Sequence, residues 1–286
     1  MNLIKADNRL IYDVGMHKGE DTDYYSKKGF RVVGFEADPY LVKYCKKRFS
    51  DRIRKGELSI IEGAIVTKDI SGEDQETVKF YRNKDSSVLG TVSPGWANRN
   101  EMLGTVSEIV EVPIVDFAAC LAEYGIPYYL KIDIEGSDSI CLKALLNFEQ
   151  RPSYVSIESE KIVFYKLIQE FTLLRQLGYT KFKAVQQMGV SLQSEPNPSK
   201  EGLYIGYRFE NGSSGLFGED LPGKWKNGDE IIKEYKKIFR LYNLFGDYGK
   251  LNKFCVGRMF LKVLNKILRI PVPGWYDTHA KHLSVI

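Results

Sequence analysis

Two carboxylates stand two residues apart at the end of an apolar run, in Pro127-Tyr-Tyr-Leu-Lys-Ile-Asp-Ile-Glu-Gly136. A pair such as Asp133 and Glu135 can act on a hydroxyl in two ways. A carboxylate of ordinary pKa is a weak base for an alcohol, so it acts late, as the oxygen becomes acidic in the transition state. Alternatively it holds a divalent cation that lowers the hydroxyl's pKa. His17 and His279 are rival bases, since imidazole titrates near neutrality. A second constellation lies in Leu10-Ile-Tyr-Asp-Val-Gly-Met-His-Lys-Gly-Glu-Asp-Thr22. An apolar run, an acid (Asp13), two glycines (Gly15, Gly19) and an acidic helix start predict strand, tight loop and helix N-terminus. Glycines allow close backbone approach or positive φ, and the first free amides of the helix offer donors to a ligand. Glu36, ending Arg31-Val-Val-Gly-Phe-Glu36, follows the loop by roughly 20 residues, where a nucleoside-binding βαβ unit sets a carboxylate on ribose hydroxyls. Alone, D-x-G-x-x-x-G also describes an ordinary strand-to-helix turn; Glu36 in register favours the nucleoside pocket.

The loop's composition narrows the nucleoside. A dinucleotide fingerprint needs a second glycine where pyrophosphate comes close, and His17 stands there instead. Asp13 would repel phosphate and attract the ammonium and sulfonium of S-adenosylmethionine. A nicotinamide-dependent oxidoreductase is therefore disfavoured. A non-catalytic nucleoside-binding module is disfavoured more weakly, because a scaffold has no use for adjacent strand-end acids.

These residues need elements that gather them. Residues 58–66 predict a third buried strand whose end, Glu62-Gly63-Ala64, would edge the adenine. Period two puts Asp133 and Glu135 on one face of their strand. Ligands of open α/β sheets bind beyond the carboxyl ends of strands, so this pair is expected at the rim that carries Asp13 and Glu36. Residues 39–49, 115–125, 139–149 and 162–177 have helical spacing, and residues 179–187 and 203–209 predict later strands. The pattern is α/β, a Rossmann-like, doubly wound and mostly parallel sheet. Residues 78–82 and 108–114 predict short strands around the segment 83–100, either a lid over the substrate or a surface loop pinned by Trp96.

The chain of 286 residues is 43% hydrophobic, with 18 Tyr and 15 Phe, enough for one large core or a core plus an extension. Cys45, Cys120, Cys141 and Cys255 form no C-x-x-C pair, which argues for reduced thiols and against a metal-thiolate centre. No leader-like N-terminus or membrane-spanning run is read, so a cytoplasmic location is expected. Residues 221–286 carry 13 Lys or Arg against 5 Asp or Glu, about +8, within a chain of net +4. Residues 1–210 are expected to form the nucleoside-binding domain and residues 211–286 an extension near its rim. In that extension Arg258, Lys262, Lys266 and Arg269 repeat along one helical face. The face would steer an anionic acceptor or touch an anionic membrane, or else be a solvated face on a helix packed against its own domain. No nucleic-acid partner is expected. Two prolines and a glycine in Pro271-Val-Pro-Gly274 forbid helix, so Trp275, Tyr276, Asp277 and His279 are expected on an irregular segment that folds over the pocket or anchors the tail.

Asp13-Val-Gly15, Gly19, Phe35-Glu36-Ala-Asp-Pro39 and above all Leu130-Lys-Ile-Asp-Ile-Glu-Gly136 resemble the FkbM family of S-adenosylmethionine-dependent methyltransferases. Pro152-Ser-Tyr-Val-Ser-Ile-Glu158 is similar to the family's following strand, and family loops more often carry Asn at the position of His17. The resemblance covers roughly residues 10 to 210. It implies methyl transfer to oxygen, on a hydroxyl of a sugar, a polysaccharide precursor or a related natural product.

Overall fold

A computed structural model of the chain describes residues 6–67, 75–102, 104–134, 137–210, 212–246, 249–254, 257, 259, 261, 263, 267 and 274–285. Contacts group the chain into two compact units: Met1–Val155 with Gly202–Ile205, and Ser156–Glu201 with Gly206–Ile286. This differs from a division at residue 210, because a strand from before that point pairs with one near the C-terminus.

In the first unit β1 (Ala6–Val14), β2 (Arg31–Glu36), β3 (Leu58–Glu62) and β6 (Ile126–Ile132) are parallel, in the order β3-β2-β1-β6. Their near-continuous apolar runs fit strands covered on both faces: Leu10, Ile11, Tyr12, Val32, Val33, Leu130 and Ile132 are all buried. The chain moves outward from β1 to β3, then returns to the other side of β1 as β6. That reversal makes the carboxyl ends of β1 and β6 a topological switch point, where such sheets bind ligands.

Between the strands lie α1 (Glu20–Lys27), α2 (Pro39–Arg48), the short α3 (Ser50–Arg54) and, before β6, α5 (Phe117–Tyr124). Asp38 caps α2 by accepting from the Tyr40 amide, and Asp116 caps α5 by accepting from Ala119, as short polar side chains do at helix starts. A separate antiparallel hairpin, β4 (Thr77–Asn83) and β5 (Ser107–Pro113), carries α4 (Pro94–Met102). Val78, Phe80, Val92 and Val112 give it a small core. The segment 83–100 thus contains a helix, against the loop expected from its Gly, Ser and Asn content. Residues 137–155 of this unit add α6 (Asp138–Ala144).

The strand β7 (Tyr154–Glu158) carries the chain into the second unit. There α7 (Phe164–Gln176), β8 (Tyr179–Gln186), α8 (Gly228–Phe245) and β9 (Tyr276–His282) follow. Asn227 and Glu230 form a reciprocal capping box on α8. Its buried face places Tyr235 against Phe171, which also meets Phe182, with ring centroids 5.6 and 5.1 Å apart. The Tyr235 hydroxyl closes a buried ring with Ser159 and Thr278, at 2.6 to 2.8 Å.

Two expectations are corrected here. Residues 203–209 form no strand; only Phe209 among them is buried, so they have no apolar face to press on a sheet. The partner of β8 is β9, antiparallel from Tyr179↔His282 to Gln186↔Tyr276. The tail expected to be irregular is therefore a strand from Tyr276 onward, because the backbone-breaking residues end at Gly274 and buried apolar and polar side chains follow. Replacing Phe171 with Ala is expected to lower stability by ~3–5 kcal/mol. The same change at Tyr165, exposed on the same helix, should stay within ~0.5 kcal/mol, both read by urea denaturation.

Candidate active site

At the switch point the backbone leaves β1 sharply. The amides of Gly15 and Met16 both donate to the Phe35 carbonyl at 3.0 Å, and φ is positive at Gly15, His17 and Gly19. A Cβ on Gly15 would lie 1.9 Å from the Asp133 carbonyl oxygen, and one on Gly19 2.4 Å from the Phe49 ring. Glycine at both positions is thus required by the protein's own atoms and by the positive φ that the sequence offered as one of two reasons for it. Among the described residues His17, with φ of 51°, is the only non-glycine in the left-handed region. Asn, Asp and His are the side chains that best tolerate it.

The charge beneath the loop is organised by a residue without an assigned role in the sequence. Lys131 is buried, and its Nζ donates to the Gly15 carbonyl at 3.0 Å. It lies 3.2 Å from Asp13, 3.7 Å from Asp21 and 3.9 Å from Asp133. Burial works against its charge, but Asp13, Asp133 and Asp21 outweigh it and hold the ammonium well above the ordinary lysine pKa. Asp13 is 0% exposed and also accepts from the Thr22 hydroxyl at 2.7 Å. Asp13, expected to meet a ligand's cation, faces Lys131 and Thr22 within the fold. A lysine amid Tyr129, Leu130 and Ile132 is the signal that could have revealed this, since a buried charge needs partners.

Glu36 ends β2 as expected. Its Oε2 accepts from the His17 amide at 2.8 Å and its Oε1 from the Asp38 amide at 2.9 Å. Burial raises its pKa to about 7, against the opposing pull of those two amides and His17. The ring of His17 is held on both sides: Nδ1 lies 3.1 Å from the Glu20 carboxylate and Nε2 2.7 Å from the Ser87 hydroxyl. Burial would raise the pKa of Glu20, but the hydrogen bond and charge of His17 bring it below the ordinary carboxylate value. Neither Glu20 nor Ser87 was legible as a partner; Ser87 comes from 70 residues away in sequence. The hairpin is also fixed to the start of α2, where Arg82 pairs with Asp38 at 3.0 Å and lies 4.1 Å from the Tyr40 ring centroid.

At the end of β3, Gly63 donates to the Glu36 carbonyl at 2.9 Å, and Ala64 donates to Pro113 at 2.8 Å while accepting from Val115 at 2.9 Å. Glu62 pairs with Lys46 at 3.0 Å. The amides of Gly63 and Ala64 are thus engaged inside the fold. Asp133 lies beyond the last residue of β6, with its side chain 49% exposed. β6 ends at Ile132; Glu135 lies outside the described residues, as do Arg258, Lys262, Lys266 and Arg269. His279 is 1% exposed within the second unit, and burial, then the charge of Lys183, lowers its pKa to about 3. It is closed off from an acceptor, which corrects its standing as a rival base. Among the described residues no group of three or more His, Cys, Asp or Glu could hold a metal ion.

A glycine loop after β1, a carboxylate ending β2 and an acid after β6, gathered where a parallel sheet reverses, is the layout of a Rossmann-like methyltransferase. The family model of the methyltransferase FkbM domain matches residues 13–181, more than half the chain, and the chain belongs to that family of S-adenosylmethionine-dependent methyltransferases. Solved structures similar to it include precorrin-6y C5,15-methyltransferase from Geobacter metallireducens, with 10% identity, 71% of this chain and 77% of that one covered, and a TM-score of 0.35. The O-methyltransferase from Bacillus cereus in complex with SAH gives 10%, 62%, 67% and 0.36. A SAM-dependent methyltransferase from Archaeoglobus fulgidus gives 12%, 96%, 86% and 0.36. No curated protein matches the chain.

Replacing Lys131 with Met leaves buried carboxylates without their cation and is expected to destabilise the protein by ~3–5 kcal/mol. Adding Asp13→Asn should recover part of that loss. Equal stability of the single variant and the unmodified protein in chemical denaturation would show the cluster to be immaterial.

Proposed function

We propose that this enzyme methylates a hydroxyl of a sugar, a polysaccharide precursor or a related natural product. The observation that carries the reading is the line Glu20 carboxylate, His17 imidazole, Ser87 hydroxyl. A carboxylate that orients an imidazole whose far nitrogen meets a hydroxyl is the arrangement that deprotonates an alcohol. S-adenosylmethionine supplies the electrophilic methyl when bound. The loop from Gly15 to Gly19 receives its methionine half, Glu36 its ribose hydroxyls, and the end of β3 from Glu62 to Ala64 its adenine face.

With the methyl donor held by these residues, an acceptor hydroxyl taking the place of the Ser87 hydroxyl would give its proton to His17 Nε2. Glu20 stabilises the imidazolium that forms. The rest of the rate comes from alignment, with the oxygen in line at roughly 3 Å. Asp133, half exposed beside the same loop, is the second candidate base. Residues 221–286 carry the surplus positive charge, which favours a phosphate-bearing acceptor. The exposed apolar side chains of Met259, Val263 and Ile267 support a peripheral contact with an anionic membrane through the same segment. Cys45, Cys120 and Cys141 are free thiols, in keeping with a reducing compartment such as the cytoplasm.

S-adenosylhomocysteine is expected to bind the purified protein, and a donor carrying a labelled methyl group, offered with an array of glycosides and nucleotide-linked sugars, should label one of them. His17→Asn keeps a side chain that tolerates positive φ. It should leave S-adenosylhomocysteine affinity within about threefold while turnover falls by roughly 10²-fold or more. Absence of S-adenosylhomocysteine binding overturns the donor site, and full activity of His17→Asn moves the base to Asp133.

Ribose hydroxyls donate to ionised Glu36, so binding favours the charged form of a group whose pKa burial has raised to about 7. Affinity for S-adenosylhomocysteine should therefore rise with pH up to about 7 and level off above it, and Glu36→Gln should remove that slope. A flat profile in the unmodified protein would place the ribose elsewhere.

A further inference from the structure

The second unit contains a cavity of about 670 Å³, within the size range of small-molecule sites, and methyl transfer as described above makes no use of it. Leu192, Leu216, Leu221 and two prolines supply apolar wall, and Lys183 enters from the middle of β8. Lys183 is 6% exposed. Its Nζ donates to the Leu221 carbonyl at 2.6 Å and stands 4.5 Å from the centroid of the Trp225 ring. An ammonium has three N–H groups, and that carbonyl takes one of them.

The charged neighbours come from every side. Lys200 lines the cavity. Lys281 on β9 pairs with Glu219 at 3.0 Å, and the other oxygen of Glu219 accepts from the Trp225 indole at 3.2 Å. Asp220 accepts from the Ser199 hydroxyl and the Lys200 amide, each at 2.7 Å. His279 faces Lys183 across the β8–β9 register and stays neutral. Both carboxylates are thus already served by donors, while Lys183 is held by a carbonyl and a ring face. Burial lowers the pKa of Lys183 to about 8; Glu219 opposes the shift, and Lys200 and Lys281 add to it. An anion entering the cavity would supply the charge that this ammonium lacks.

We propose that the cavity is a second ligand site, taking a small organic anion whose carboxylate or phosphate meets Lys183 and whose apolar body lies against Leu192, Leu216 and Leu221. Calorimetric titration of the full chain at pH 8 with benzoate and with phenyl phosphate tests it, benzyl alcohol serving as the neutral control. At least one of the anions should bind, tenfold or more tighter than the alcohol, and the stronger of the two identifies the preferred group. Binding should take up about half a proton at pH 8, read from the heats in two buffers of different ionisation enthalpy, because the anion lifts Lys183 back above the working pH. Lys183→Met should weaken anion binding tenfold or more, and Lys200→Gln, at an exposed position, by a smaller factor. No binding of either anion, binding no tighter than that of benzyl alcohol, binding without proton uptake, or equal binding by Lys183→Met overturns the proposal. Should Lys183→Met fail to fold, the comparison with benzyl alcohol and the proton uptake, both made on the unmodified protein, still decide it. No methyl donor takes part, so the outcome is independent of the methyl-transfer reading.

Discussion

The first unit depends on one buried cation. Lys131 touches β1 through Asp13, the glycine loop through the Gly15 carbonyl, α1 through Asp21 and the exit of β6 through Asp133. Desolvating an ammonium is expensive, and only closely placed acceptors offset it. The four segments are therefore fixed relative to one another by one group that tolerates little displacement of any of them. Asp13 and Lys131 are also direct partners in the register of β1 and β6, so sheet pairing and charge pairing specify the same alignment.

Around this centre the site is built from groups of modest strength held at definite angles. Glu36 accepts two amides, one of them from His17, so the strand-end carboxylate and the loop support each other. The hairpin of β4 and β5 reaches the loop through Ser87 on His17 and the start of α2 through Arg82 on Asp38. Each orienting group in this arrangement is therefore itself oriented by another.

Local patterns in the sequence were enough to read the parallel strands, several of the helices and the strand-end acids, because apolar periodicity and turn glycines act over a few residues; the helices Pro94–Met102 and Gly228–Phe245 went unread. The strand end at Glu36 and the loop from Gly15 to Gly19 were legible in this way. Contacts between distant segments were not. Ser87 meets His17 across 70 residues, and β9 pairs with β8 across about 100, with no local mark of either partner. Residues 203–209 alternate in a way that suits a strand, yet no surface was available to cover them. The proline-rich approach to the C-terminus concealed a strand that begins immediately after it. Lys131 stood in plain view inside an apolar run, and its meaning became visible only with its three carboxylates.

The left-handed backbone at His17 has a consequence for how such enzymes diverge. Few side chains fit that conformation without strain, and those that do are short polar ones or imidazole. Selection at this position is thus confined to a small set in which only one member accepts a proton near neutral pH. A single-nucleotide exchange between His and Asn codons would preserve the backbone conformation and the amide donated to Glu36 while removing the imidazole that meets Glu20 and Ser87.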